Sequence, residues 1–148
     1  MTGRTQGNAA NSSGNVLEQA VISTMTAKDF ALVSYSKWAK HPGAYGGELL
    51  LKNVPYDTIY GHSGKTEFLL KSAARGLEIR IECKWQQAAG SVDEKFPYLY
   101  LNCIEAMPEN HIIILVDGGG YKQGAIKWLN TAVNRRRYQS QNNGKTIQ

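Results

Sequence analysis

Hydrophobic and polar positions alternate most strictly over residues 77–84, where Leu77, Ile79, Ile81 and Cys83 interleave with Glu78, Arg80, Glu82 and Lys84. A period of two belongs to a β-strand, so this segment is predicted to have one core face and one polar face carrying chemistry. Residues 111–116 form a continuous β-branched apolar run, as in a strand covered on both faces, and Gly118-Gly119-Gly120 ends it. Residues 30–35 and 48–54 read as two more strands, separated by the breakers His41-Pro42-Gly43 and Gly46-Gly47. Residues 56–60 and 66–71 flank Gly61-His62-Ser63-Gly64 and predict a β-hairpin.

Three segments have helical periodicity. Val16, Leu17, Ala20, Val21, Thr24 and Met25 recur every three or four residues, which predicts a helix over 14–26 capped by Ser12 or Ser13. A second helix is predicted over 92–105, with Ser91 as cap, Asp93 and Glu94 in its positive first turn, and Pro97 making its start irregular. A third, over 123–136, buries Ile126, Leu129 and Val133. Strands with helices before, between and after them predict a mixed α/β domain. It spans 14–137, between a disordered arm over 1–13, which lacks the apolar side chains to offset its ordering, and a flexible Gln- and Asn-rich tail over 138–148.

Composition narrows the class. With 148 residues, of which 42% are hydrophobic and 20% charged, the chain has material for one core and is not a disordered or coiled-coil sequence. Its apolar runs fall far short of the ~20 residues of a membrane span, and its polar start has no signal-peptide apolar region, so a soluble, non-secreted, cytoplasmic protein is expected. Cys83 and Cys103 are too few for a disulfide framework or a four-cysteine zinc site and fit reduced thiols. Lys and Arg number 17 against 12 acidic residues, a net charge of +5 that makes a polyanion a natural partner.

Glu82 and Lys84 project from the same side of the period-two strand, about 7 Å apart along the chain. Glu67 stands in the middle of the preceding strand, Thr66-Glu67-Phe68-Leu69-Leu70, where a lone charge is disfavoured unless something pairs with it. Two carboxylates and a lysine on neighbouring strands suit a hard cation such as Mg²⁺, which is held by one or two carboxylates and completed by water and a substrate phosphate. Lys84 can then hold or deprotonate a water, or neutralise charge at phosphorus.

These residues carry a resemblance. Thr66-Glu67-Phe68-Leu69-Leu70 followed by Ile81-Glu82-Cys83-Lys84-Trp85-Gln86, after a helix bearing Glu18, resembles the PD-(D/E)XK nuclease superfamily in its restriction-endonuclease-like form, over residues 14–133. The resemblance implies a mixed central β-sheet flanked by helices and a Mg²⁺-dependent endonuclease, with Mn²⁺ able to substitute. It also implies cleavage of DNA, restriction-like or structure-specific as in Holliday-junction enzymes, by a homodimer with one site per chain. It casts Glu67 and Glu82 as the metal-bridging pair, Lys84 as the catalytic lysine, Glu18 as the supporting helix acid and Gln86 as a further contact to water, metal or phosphate. Glu67 departs from the family's aspartate and Thr66 from its proline. The alternative on the same fold is a nucleic-acid-binding module that no longer cleaves.

Other signals are weaker. Lys95 follows the glycine turn after the catalytic strand and is a candidate for the DNA backbone. Tyr121 and Lys122, next to Gly118-Gly119-Gly120, fit either an ordinary turn or a close approach of phosphate. Lys127, Arg135, Arg136 and Arg137 fit a solvated helix end or phosphate neutralisation. Gly61-His62-Ser63-Gly64-Lys65-Thr66 ends like a phosphate-binding loop, but Ile59 occupies the place of the first glycine and a strand follows, which argues against nucleotide hydrolysis. The scattered His41, His62 and His111 give an HNH or zinc mechanism no support.

Overall fold

The computed structural model describes the backbone of residues 5–148 and the side chains of residues 16–148. Six strands form one sheet in chain order: β1 (Ala31–Ser34), β2 (Glu48–Asp57), β3 (Ser63–Ser72), β4 (Leu77–Trp85), β5 (His111–Asp117) and β6 (Thr146–Ile147). β2, β3 and β4 run antiparallel as a meander, while β1, β5 and β6 pair in parallel with their neighbours. The parallel pairs need crossovers, supplied by α2 (Tyr35–Lys40) with a 3₁₀ turn at Pro42–Tyr45, by α3 (Val92–Glu105) and by α4 (Gln123–Asn134). Helix α1 (Thr5–Thr26) precedes the sheet. This is the expected mixed α/β sheet flanked by helices.

Both faces of the sheet are covered. On one, Val21, Ile22 and Met25 of α1 pack on Phe30, Leu50, Phe68, Leu70 and Ile81. On the other, α3 and α4 cover Ile112, Ile114 and Val116, and the α2 segment covers Leu49, Leu51, Val54 and Leu69. The polar face expected for β4 is therefore a packed face: Arg80 is only 1% exposed and Glu82 5%. Period two separates the faces of a strand but does not say which one meets solvent, because α3 supplies a cover from elsewhere in the chain.

Several expected boundaries move. Helix α1 begins at Thr5, not at residue 14, so residues 5–13 of the expected disordered arm are helical, and residues 1–4 of it lie outside the described residues. Ala9 and Ala10 favour helix there, and the apolar spacing that predicts the helix starts only at Val16. The tail expected to be flexible ends in β6, where Ile147 pairs with Ile112 and is buried. The Lys145 ammonium also donates to the Glu109 carbonyl at 3.0 Å. The segment 56–60 is no separate strand: β2 runs through Pro55 to Asp57, and the hairpin turn is 58–62. Helix α2 lies where a plain loop was expected. Helix α3 matches its predicted span, but Ser91 makes no side-chain cap; the Val92 N–H donates to Gln86 Oε1 at 3.0 Å instead.

Candidate active site

The site lies where two strands part. Pairing between β3 and β4 ends at Phe68 opposite Ile81, while β4 continues to Trp85 on β5 alone. One residue beyond that end, the β2–β3 pairing skips Asn53 and Glu67, and Asn53 takes a left-handed φ of 56°. The register is unchanged on either side, yet the left-handed turn at Asn53 swaps faces, so Leu51 and Val54 share one core cluster although three residues apart. The skipped pairing also frees Glu67 from the ladder, and its Oε2 accepts the Cys83 N–H at 2.7 Å, replacing the carbonyl that β3 no longer offers. Sequence alternation positions Glu82 and Lys84; the fork delivers Glu67 to them.

Glu82 is buried, and the Lys84 ammonium donates directly to its Oε1. Burial, opposed by Lys84 and reinforced by the neighbouring Glu67 carboxyl within hydrogen-bonding reach, pushes Glu82 up to about 7. Burial disfavours the Lys84 ammonium, but Glu82 beside it outweighs this and holds Lys84 above its ordinary value. The two groups thus jointly retain a proton. Glu18 faces this cluster from α1: its carboxyl is raised by burial, then by Glu67, against an opposing pull from Lys52. Burial, followed by Glu67, Glu18 and Glu82, pushes the Cys83 thiol up to about 12. Glu67 thus couples to Glu18 on one side and to the Glu82–Lys84 pair on the other.

The donor set fits a hard divalent ion in one respect: two carboxylates meet, one of them held short of full ionisation first by burial and then by its acidic neighbour, a penalty that a bound cation would relieve. Among the described residues no cluster of three or more His, Cys, Asp or Glu side chains is arranged to hold a metal, so water and phosphate oxygens would fill the remaining positions.

Other expected residues separate. Gln86 is not aimed at the acids: its amide nitrogen donates to the Gly120 carbonyl at 3.0 Å and to Asp93 at 3.3 Å, and its oxygen accepts Val92 N–H. A side chain so occupied positions the loop after β4. Gly118 and Gly120 serve the same contact, since a Cβ on Gly118 would stand 2.3 Å from the Gln86 carbonyl oxygen and one on Gly120 2.4 Å from that of Ala88. Backbone–backbone packing thus accounts for glycine at 118 and 120. Tyr121 stacks on Phe96 at 5.4 Å with its hydroxyl buried, so its ring is a packing element. Lys122 is exposed at the start of α4. Lys127 of α4 and Arg135 and Arg137 just past its end line a cavity of about 400 Å³ that contains neither acid, and Arg136 is exposed next to them. A roomier cavity of about 870 Å³, between β5 and α4, likewise excludes Glu82 and Lys84.

Only Lys95 of the expected DNA contacts shares a cavity with Glu82 and Lys84. That cavity, about 340 Å³, is also lined by Tyr56, His62, Lys65, Tyr98 and Asn102. The sequence casts Lys65 only as part of a failed phosphate loop, and His62 as part of that loop or of an unsupported metal site. The signal that would have found them is an aromatic and basic turn, Tyr60-Gly61-His62 with Lys65, one strand before the acids.

A family model described as the PD-(D/E)XK nuclease superfamily domain matches residues 9–148, and the chain belongs to that superfamily. Its members typically use divalent metals. No curated protein and no solved structure matches the chain.

Proposed function

We propose that the protein is a Mg²⁺-dependent DNA endonuclease whose active site is Glu67, Glu82 and Lys84, with Glu18 in support. The observation that carries this reading is the meeting of two carboxyls and one ammonium at the β3–β4 fork, inside a chain of the nuclease superfamily. Glu67 and Glu82 would hold the ion, with Mn²⁺ as a substitute; when bound it supplies Lewis-acid activation of water and stabilisation of the departing oxygen. Lys84, held above its ordinary pKa, stays an ammonium at neutral pH. It therefore neutralises charge building up on the phosphoryl oxygens and is not the base that deprotonates water. Glu18, whose carboxyl is raised by burial and then by Glu67, approaches that acid from α1 and acts as a positioning residue. The protein's net charge of +5 favours approach of a polyanion, and Lys95 at the cavity rim can take a neighbouring phosphate. One site per chain calls for a homodimer to cut both strands, and two free cysteines fit a reducing cytoplasm.

Nicking of supercoiled plasmid tests this. With Mg²⁺ the wild type converts it to open circle; Lys84→Ala and excess chelator abolish conversion. Cutting that survives either treatment contradicts the proposal. Discrete fragments from a long duplex point to restriction-like cleavage, and preference for a four-way junction to a structure-specific enzyme. DNA binding without Glu82-dependent Mn²⁺ uptake leaves the non-cleaving module as the answer.

A further inference from the structure

The turn between β2 and β3 carries an aromatic ring that the fold does not need. Tyr60 is 68% exposed at the tip of residues 58–62, and its ring stacks on Tyr98 of α3 with centroids 5.0 Å apart and planes at 28°. The turn is already fixed by its own bonds: Thr58 N–H to the His62 carbonyl at 2.9 Å, Gly61 N–H to the Thr58 carbonyl at 2.8 Å, and His62 N–H to Thr58 Oγ1 at 3.2 Å. Ile59 N–H further ties it to Asn102 Oδ1 of α3 at 2.9 Å. A stacked pair of tyrosines is thus held rigidly at the surface with its outer ring open.

Its surroundings name the occupant. Tyr98 lines the cavity that also holds Glu82 and Lys84, together with His62, Lys65 and Lys95. Asn102, 1% exposed, lines the same cavity; its Oδ1 is taken by Ile59 while its buried Nδ2 has no partner, a donor left over for an oxygen-rich ligand. Two ammonium groups, an unfilled amide donor and a presented aromatic face are what a phosphate–sugar strand with an accessible base meets in single-strand-binding grooves. A base inside intact duplex has no free face for such a ring.

We propose that the Tyr60–Tyr98 platform stacks one unpaired base adjoining the scissile phosphate, so that the protein selects DNA with single-stranded or locally opened character. This rests on the reading of Glu82 and Lys84 as the active site. Lys65 and Lys95 take the flanking phosphates, and His62, whose ring lies 6.2 Å from that of Tyr60, borders the stacked base.

The test uses the full chain in chelator, where no cutting intervenes, with a single-stranded oligonucleotide carrying 2-aminopurine and the same sequence fully paired. Stacking on tyrosine quenches the probe in the single strand. Tyr60→Ala removes the quench and weakens single-strand affinity about tenfold, while duplex affinity stays within about twofold; Tyr60→Trp restores both. Unchanged quenching and affinity in Tyr60→Ala, or an equal loss for both DNA forms, overturns the proposal. Glu82→Gln cleavage is read in parallel: full activity there sinks the active-site reading, whereas the quench reports on the platform alone.

Discussion

Strand β4 carries two buried charge clusters two residues apart on one face, and they are built to opposite plans. Arg80 is saturated: its guanidinium donates to Glu109 Oε1 at 2.9 Å and to Oε2, to the Val54 and Pro55 carbonyls at 3.1 and 3.2 Å, and to Thr66 Oγ1 at 3.0 Å, with the Tyr56 ring 5.3 Å away. Glu82 and Lys84 have chiefly each other, beside a second acid. A guanidinium fork with every donor placed ties β2, β3 and β4 to the residues before β5 and leaves nothing for a ligand. The Glu82–Lys84 pair keeps an acid pushed up to about 7, chiefly by burial, a perturbation of the kind that clusters at functional sites. The same strand thus separates the cluster that holds the fold from the proposed catalytic pair by about 7 Å.

The largest effect should fall on the saturated cluster. Arg80→Met strands the Glu109 carboxylate in the interior and should cost about 3–5 kcal/mol of folding stability, seen as a lowered denaturant midpoint. If the loss stays under about 1 kcal/mol, Arg80 is not the tie described. Lys84→Ala should reverse the pattern, lowering the cleavage rate by about 10²–10³-fold while the unfolding midpoint moves little. Equal damage to stability and rate would erase the distinction between the two clusters.

The pH dependence sharpens it. Glu82 titrates near 7 in the folded protein against 4.5 for an ordinary glutamate, so between these values the folded chain holds a proton that the unfolded chain has released. Stability from this group is complete below about pH 4.5 and falls as pH rises towards 7, by about 3 kcal/mol in all. Metal affinity runs the other way, because the ion must displace that proton: Mn²⁺ binding should weaken by up to about tenfold per pH unit below 7 and level off above it. Calorimetry at pH 5.5, 6.5 and 7.5 checks this, and a flat profile removes Glu82 from the ligand set. A smaller effect is expected where the turn after β5 packs on the loop after β4. Gly120→Ala drives a Cβ against the Ala88 backbone and should cost about 1–3 kcal/mol, measured by thermal unfolding.

How far the sequence revealed this site follows from the range of each interaction. The span of α3 and the β4 alternation were legible because they are local periodicities, and Glu82 and Lys84 came with them. The burial of Arg80 was not, because Glu109 and the carbonyls that bond it lie 25 to 29 residues away. β6 is a strand only because β5 offers an edge, and two residues carry no periodicity of their own. Gln86 shares the parity of Glu82 and Lys84, which suggested a role among the acids; the bonds that engage it come from Val92 and Gly120, brought close by the fold. Tyr60 and Tyr98 meet across 38 positions, so no local pattern joined them.

The claim on which the rest depends is that Glu67 and Glu82 grip one divalent ion beside Lys84. Anomalous scattering from a crystal soaked in Mn²⁺ tests it most directly. A single peak within about 2.0–2.4 Å of both carboxyls, absent in Glu82→Gln, is the result expected; no peak there, or one held by other residues, contradicts it.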